Sequence, residues 1–202
     1  SGNSDEDGHI VVLAGPDSAR YTHGALGDTI ECTRVVYLER HDLRILRSLT
    51  LPPPYVLEDI APRPIAWRGG RGLLTMRSGP QGSQLAVIAA SRSGSGMLEI
   101  AALGMPIGIP NRWMAATTDG TRLMAIHTPH IGGVLHEYMA DDDALRSRVV
   151  GQGLTNHRNG TRELDLSVWV NGKLLVPTQD RRSLACFDAR RQWRPCAVVP
   201  LP

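Results

Sequence analysis

Apolar and polar positions alternate along this chain in short runs, and no stretch keeps the period of a helix. Four times, a tight polar turn is followed at once by an apolar run. The turns are Asp7-Gly8, Gly69-Gly70, Asp119-Gly120 and Asn171-Gly172, and the runs begin at Ile10, Leu73, Leu123 and Leu174. Strand-like segments precede three of the turns, at 64–67, 113–116 and 166–170. A Gly-containing turn between two apolar runs is a hairpin signal, because the left-handed backbone it supplies matches the twist of paired strands. A third strand fits residues 30–38, 84–90, 134–139 and 183–187, and a fourth fits 43–51, 97–103, 145–150 and 193–199.

The turn glycines Gly8, Gly70, Gly120 and Gly172 stand 62, 50 and 52 residues apart. A period of about 50 residues built from short strands predicts an all-β, propeller-like domain of about four blades, each of up to four antiparallel strands. Residues 1–7 read as a disordered or processed N-terminus. Residues 8–202 read as one domain, with repeats at about 8–57, 58–106, 107–156 and 157–202. The first repeat opens at its turn and so is expected to lack its first strand. A fifth partial blade or an oligomer completing the first blade would cover that edge, since bare edges invite pairing. An antiparallel sandwich is the alternative; it accounts for the strands but not for the period.

Aromatic residues make up only 4% of the 202 residues, so the core must be built from Leu, Val, Ile and Ala. A net charge of +2, with no basic block, gives no reason to expect nucleic acid as a partner. No apolar stretch approaches the ~18–20 residues of a helical membrane span, and none is expected. Of three cysteines, Cys186 and Cys196 flank the last hairpin; they read equally as a disulfide and as two strand thiols.

Strand parity singles out one face. In consecutive antiparallel units, the loops joining strands 2 and 3 emerge on the same side as the connections between units. Those segments hold His23, Asp28, Asp59, Arg63, Asn111, Arg112, His127, His130, Asn156, His157 and Arg162. Loops on a rigid sheet commonly carry binding groups, and arginine suits carboxylate or phosphate. The same residues also fit a bracing role, with Arg63 on Glu58 or Asp59 and Arg162 on Glu163. The opposite face carries only solvated hairpin tips. The spacing of His127 and His130 on a Pro-containing loop is no helical metal motif, and no paired CxxC is present, so no metal or other cofactor is expected. No G-x-S-x-G elbow supports a nucleophile, and Glu58, Asp59 and Asp28 as acid and base form a weak signal.

The turn phrases resemble degenerate FG-GAP or VCBS-type repeats of the kind found in integrin-alpha-like propellers. In that family the first hairpin carries an Asp-rich calcium loop. Here the matching segments, Arg68-Gly69-Gly70-Arg71, Thr117-Thr118-Asp119-Gly120 and Val168-Trp169-Val170-Asn171-Gly172, keep the glycines and lose most carboxylates. Calcium needs six or more oxygens, so no calcium carries over. Stretches 21–28, 57–63, 111–113, 128–133 and 154–158 resemble small bacterial VCBS-repeat proteins. That resemblance implies a propeller-like fold and a periplasmic or extracellular location, and no reaction. The expectation is a non-catalytic binding protein whose His/Arg-rich face takes a partner protein or a small anionic ligand. The alternatives are a hydrolase or lyase using His with Asp or Glu on that face, and a structural accessory subunit of a larger assembly.

Overall fold

The structure, a computed structural model, describes residues 3–4, 9–164 and 166–201. The expected turn at Gly8 and most of the expected disordered N-terminus lie outside the described residues. Within them the chain is nearly all β, and the helical element is a single 3-10 turn, Ala189–Arg191.

The strands form four successive antiparallel meanders. The first holds β1 (Asn3–Ser4), β2 (Ile10–Asp17), β3 (Glu31–Leu38) and β4 (Ile45–Thr50), followed by a short connecting strand, β5 (Val56–Leu57). The second holds β6 (Arg63–Trp67), β7 (Gly70–Gly79), β8 (Gly82–Ala90) and β9 (Leu98–Gly104). The third holds β10 (Met114–Thr118), β11 (Leu123–His127), β12 (Val134–Asp141) and β13 (Ala144–Gln152). The fourth holds β14 (Val168–Val170), β15 (Lys173–Pro177), β16 (Ser183–Asp188) and β17 (Arg194–Pro200). The first three meanders are continuous in one sheet. β5 bridges β3 to β7, and a short parallel pairing joins β9 to β13; the fourth meander is a sheet of its own.

Two details differ from the sequence reading. The first meander has its own opening strand: β1 pairs Asn3 with Val11 and Ser4 with Ile10. The second turn is centred on Arg68-Gly69 and not on Gly70, which begins β7 opposite Trp67. Both Arg68 and Gly69 have positive φ, as do Asn171 and Gly172 in the last meander, which is the two-residue turn that right-twisted hairpins favour.

The core lies between consecutive meanders. Val35, Leu57 and Leu73 fill the space between the first and second. Leu74, Leu85 and Val87 meet Met114, Leu123 and Tyr138 between the second and third. Ile126 and Leu135 meet Leu174 and Phe187 between the third and fourth. β8 is buried on both faces, and this is why Leu85-Ala86-Val87-Ile88-Ala89-Ala90 shows no alternation. β17, by contrast, is exposed along its whole length. Stacking one meander on the next gives each an apolar partner that it lacks alone.

Candidate functional site

The segments 18–30, 58–62, 105–113, 128–133, 153–164 and 178–182 meet on one face, and their contacts cross between meanders. The Tyr21 hydroxyl accepts from the Asn111 backbone N–H at 3.0 Å. The Gly160 N–H donates to the Ala25 carbonyl at 3.1 Å. Arg162 pairs with Asp28, so the segment that leads into the fourth meander is tied back to the first.

Glu58 is the buried centre of this arrangement. One carboxylate oxygen accepts from His23 Nδ1 and the other from the Ser78 hydroxyl, while its backbone carbonyl accepts from Trp113 Nε1 at 3.0 Å. Glu58 is fully buried, and all three partners come from different elements. Its neighbour Asp59 is also buried. It takes hydrogen bonds from the Thr75 hydroxyl at 2.8 Å, the Ile60 N–H at 2.8 Å and Arg63 Nη1 at 3.1 Å.

On one side of Glu58 lies an imidazole-rich region. Trp113 stacks on His130, with ring centroids 6.2 Å apart, and meets His157 edge-on at 4.7 Å. His130 Nε2 lies 2.7 Å from His157 Nδ1, and His157 Nε2 lies 2.9 Å from the Thr161 carbonyl. A carbonyl only accepts, so His157 is protonated on Nε2 and His130 donates to His157 Nδ1. This leaves His130 Nδ1 as an acceptor. Two hollows of about 300 and 440 Å³ open here and share His130 and Asn159 as a common wall. The first also meets His23, Asn111 and Arg112, and the second meets Gln179 and Arg181. Arg112 and Arg181 are exposed, and neither has a carboxylate partner among the described residues.

Burial holds these imidazoles neutral. It lowers His157 and, with His157 beside it, takes His130 down to about 4. The unfolded chain takes up those protons near pH 6.5. The stability tied to neutral His130 is therefore complete above about pH 6.5 and is lost as the pH falls through about 4. His130→Gln should be less stable than the parent at neutral pH, and the gap in urea midpoint should narrow steadily toward pH 4. Parallel midpoint curves would show that His130 is not buried in its neutral form.

On the other side of Glu58 is a cleft of about 430 Å³, walled in part by Leu13, Leu26 and Ile60 and carrying Asp28, Glu31, Asp59 and Arg162. Glu31 was not among the candidates from sequence. Burial first, then the charges of Glu58, Asp28 and Asp59, push its carboxyl up to about 9.

The structure thus brings together His23, Asn111, Arg112, His130 and His157 in one region, and Asp28, Asp59, Arg63 and Arg162 in the adjacent one. Asn156 is buried beneath the face, where its side chain donates to the Ala115 carbonyl at 3.3 Å. His127 does not join them. It ends β11, and strand alternation points it the same way as Leu123 and Ala125, toward Tyr138. Its Nε2 lies 2.6 Å from the Tyr138 hydroxyl and its ring stacks on His136 at 3.7 Å. Cys186 and Cys196 are joined as a disulfide across β16 and β17, and Cys32 is a free thiol.

No protein-family model matches the chain, and a search of the curated proteins gives no match. Among solved structures the chain is similar to dihydro-heme d1 dehydrogenase NirN in complex with DHE, at 13% identity and a TM-score of 0.49. The match covers 99% of this chain and 43% of that one, and it bears on no residue of the face described above.

Proposed function

We propose that the chain is a non-catalytic binding protein that takes a small anionic ligand, a carboxylate or phosphate, in the hollows around His130. One observation carries this reading. Among the described residues, Arg112 and Arg181 stand exposed at the two hollows without a carboxylate partner, whereas Arg63 and Arg162 on the same face are ion-paired. A guanidinium with open donors is a fork for a planar or tetrahedral anion. The neutral imidazoles add little charge, so the arginines supply the attraction and Trp113 a flat wall. His157 and Asn156 are buried and serve to position that wall.

In the same reading, the four meanders are consecutive blades of a propeller-like ring of FG-GAP type. The Cys186–Cys196 disulfide favours a periplasmic or extracellular location, where such bonds persist.

Titration calorimetry with inorganic phosphate and with succinate tests the ligand class. Arg112→Ala should weaken the bound anion by about tenfold or more, the scale of a lost charge-assisted hydrogen bond, with the melting temperature unchanged. Arg181→Ala should do the same from the second hollow. Saturable binding that both variants leave intact would overturn the reading, and so would the absence of binding by either anion.

A further inference from the structure

The cleft on the acidic side of Glu58 has a different character from the histidine hollows, and it suits a different ligand. We propose that it binds an organic cation, an ammonium group carried on a short apolar body. Asp28 and Asp59 are each matched by one guanidinium, Arg162 and Arg63. Glu31 has no such match. Its side chain lines the cleft, the residue is only 3% exposed, and its Oε1 has no hydrogen-bond partner among the described residues. An orphaned buried oxygen costs about 1–3 kcal/mol, more if charged, unless something supplies a donor.

The surroundings say what that donor should be. The groups acting on Glu31 are Glu58, Asp28 and Asp59, opposed by Arg162, with the Cys32 thiol adjacent in the chain. With Arg63 on Asp59 and Arg162 on Asp28, three carboxylates stand against two guanidinium groups, a surplus that disfavours an anion. A neutral alcohol would satisfy the hydrogen bond but leave the field uncompensated. An ammonium supplies both the donor and the positive charge, and Leu13, Leu26 and Ile60 receive an apolar body. A cleft of about 430 Å³ falls in the usual range of small-molecule sites. The acidic groups are not gathered for a metal ion: no cluster of three or more His, Cys, Asp or Glu suited to one occurs among the described residues.

The raised Glu31 carboxyl makes the binding proton-linked. Near pH 7 it holds its proton. When an ammonium arrives, the O–H bond of Glu31 breaks, the carboxylate pairs with the ammonium, and the proton leaves to solvent.

The test is calorimetry with n-hexylammonium, run in two buffers of different ionisation enthalpy, with 1-hexanol and hexanoate as matched probes. Hexylammonium should bind best and release close to one proton at pH 7, and its affinity should rise up to about tenfold per pH unit between about pH 6 and 8. Glu31→Gln should abolish the proton release and weaken binding by about tenfold or more. Arg162→Gln, at an exposed side chain, should tighten hexylammonium binding by removing the competing cation. Equal or better binding of hexanol or hexanoate would overturn the proposal, and so would binding without proton release, weaker binding in the Arg162 variant, or no saturable binding of hexylammonium. The site shares no ligand with the anion hollows, so either reading stands or falls alone.

Discussion

Replacing Asp59 with alanine should cost about 3–5 kcal/mol of stability, the scale of breaking a buried ion pair by removing one partner. Asp59 accepts from Thr75, Ile60 and Arg63 at once, and its side chain has no contact with solvent. Without it, Thr75 loses its hydroxyl partner inside the sheet, and the Arg63 guanidinium, 13% exposed, is left with the Ala61 carbonyl at 3.4 Å. Equilibrium urea unfolding followed by circular dichroism measures the effect. Asp59→Asn, which keeps the shape and two of the acceptor contacts, should fall between the parent and the alanine variant. A loss below about 1 kcal/mol for alanine, the value of an exposed pair, would mean that the Asp59–Arg63 contact is solvated in solution.

The second large effect concerns the last meander. Cys186 lies on β16 and Cys196 on β17, ten residues apart in sequence, where the pairing shifts register beside Phe187. A closed loop of this length restrains the unfolded chain by about 2–3 kcal/mol in the chain-entropy account. The double Cys186→Ala, Cys196→Ala variant should be destabilised by that amount, and a reducing agent should produce the same shift in the parent and none in the variant. β17 is exposed throughout and pairs only with β16, so the loss should appear first as exchange of its amide hydrogens. An unchanged midpoint in the double variant would show that the β16–β17 pairing needs no crosslink.

Much of the strand order was legible in the sequence, because short-range physics sets it. Asn171-Gly172 can adopt the left-handed backbone of a tight turn, and the apolar runs on either side have nowhere to go but a hairpin. The same logic places the second turn one residue too late: the sequence centres it on Gly69-Gly70, but Arg68 accepts positive φ and Gly70 pairs in β7. The sequence reading puts His127 in the loop between strands 2 and 3, yet β11 pairing extends through it and turns it toward Tyr138. Glu31 was missed altogether. A lone carboxylate opening the run Cys32-Thr33-Arg34-Val35 is a signal, but its meaning depends on Glu58 and Asp59, which tertiary packing alone brings near. The separation of the face into an imidazole side and an acidic side has the same origin. It turns on the burial of Glu58 between His23, Ser78 and Trp113, and no local pattern in the sequence marks that burial.

The tie between the segment before the fourth meander and the first has a kinetic consequence. The hairpins within each meander join near neighbours in the chain, whereas Asp28 and Arg162 are 134 residues apart and Asn111 and Tyr21 are 90 apart. Closing loops of that size costs entropy before any contact repays it, so such pairs form late. Individual meanders should therefore acquire their ladders while the polar face is still open, and the face should assemble in the final step, when the two distant stretches of chain meet. A nascent or partly refolded molecule would then have native-like sheets but no binding surface, and the recovery of binding would report the end of folding.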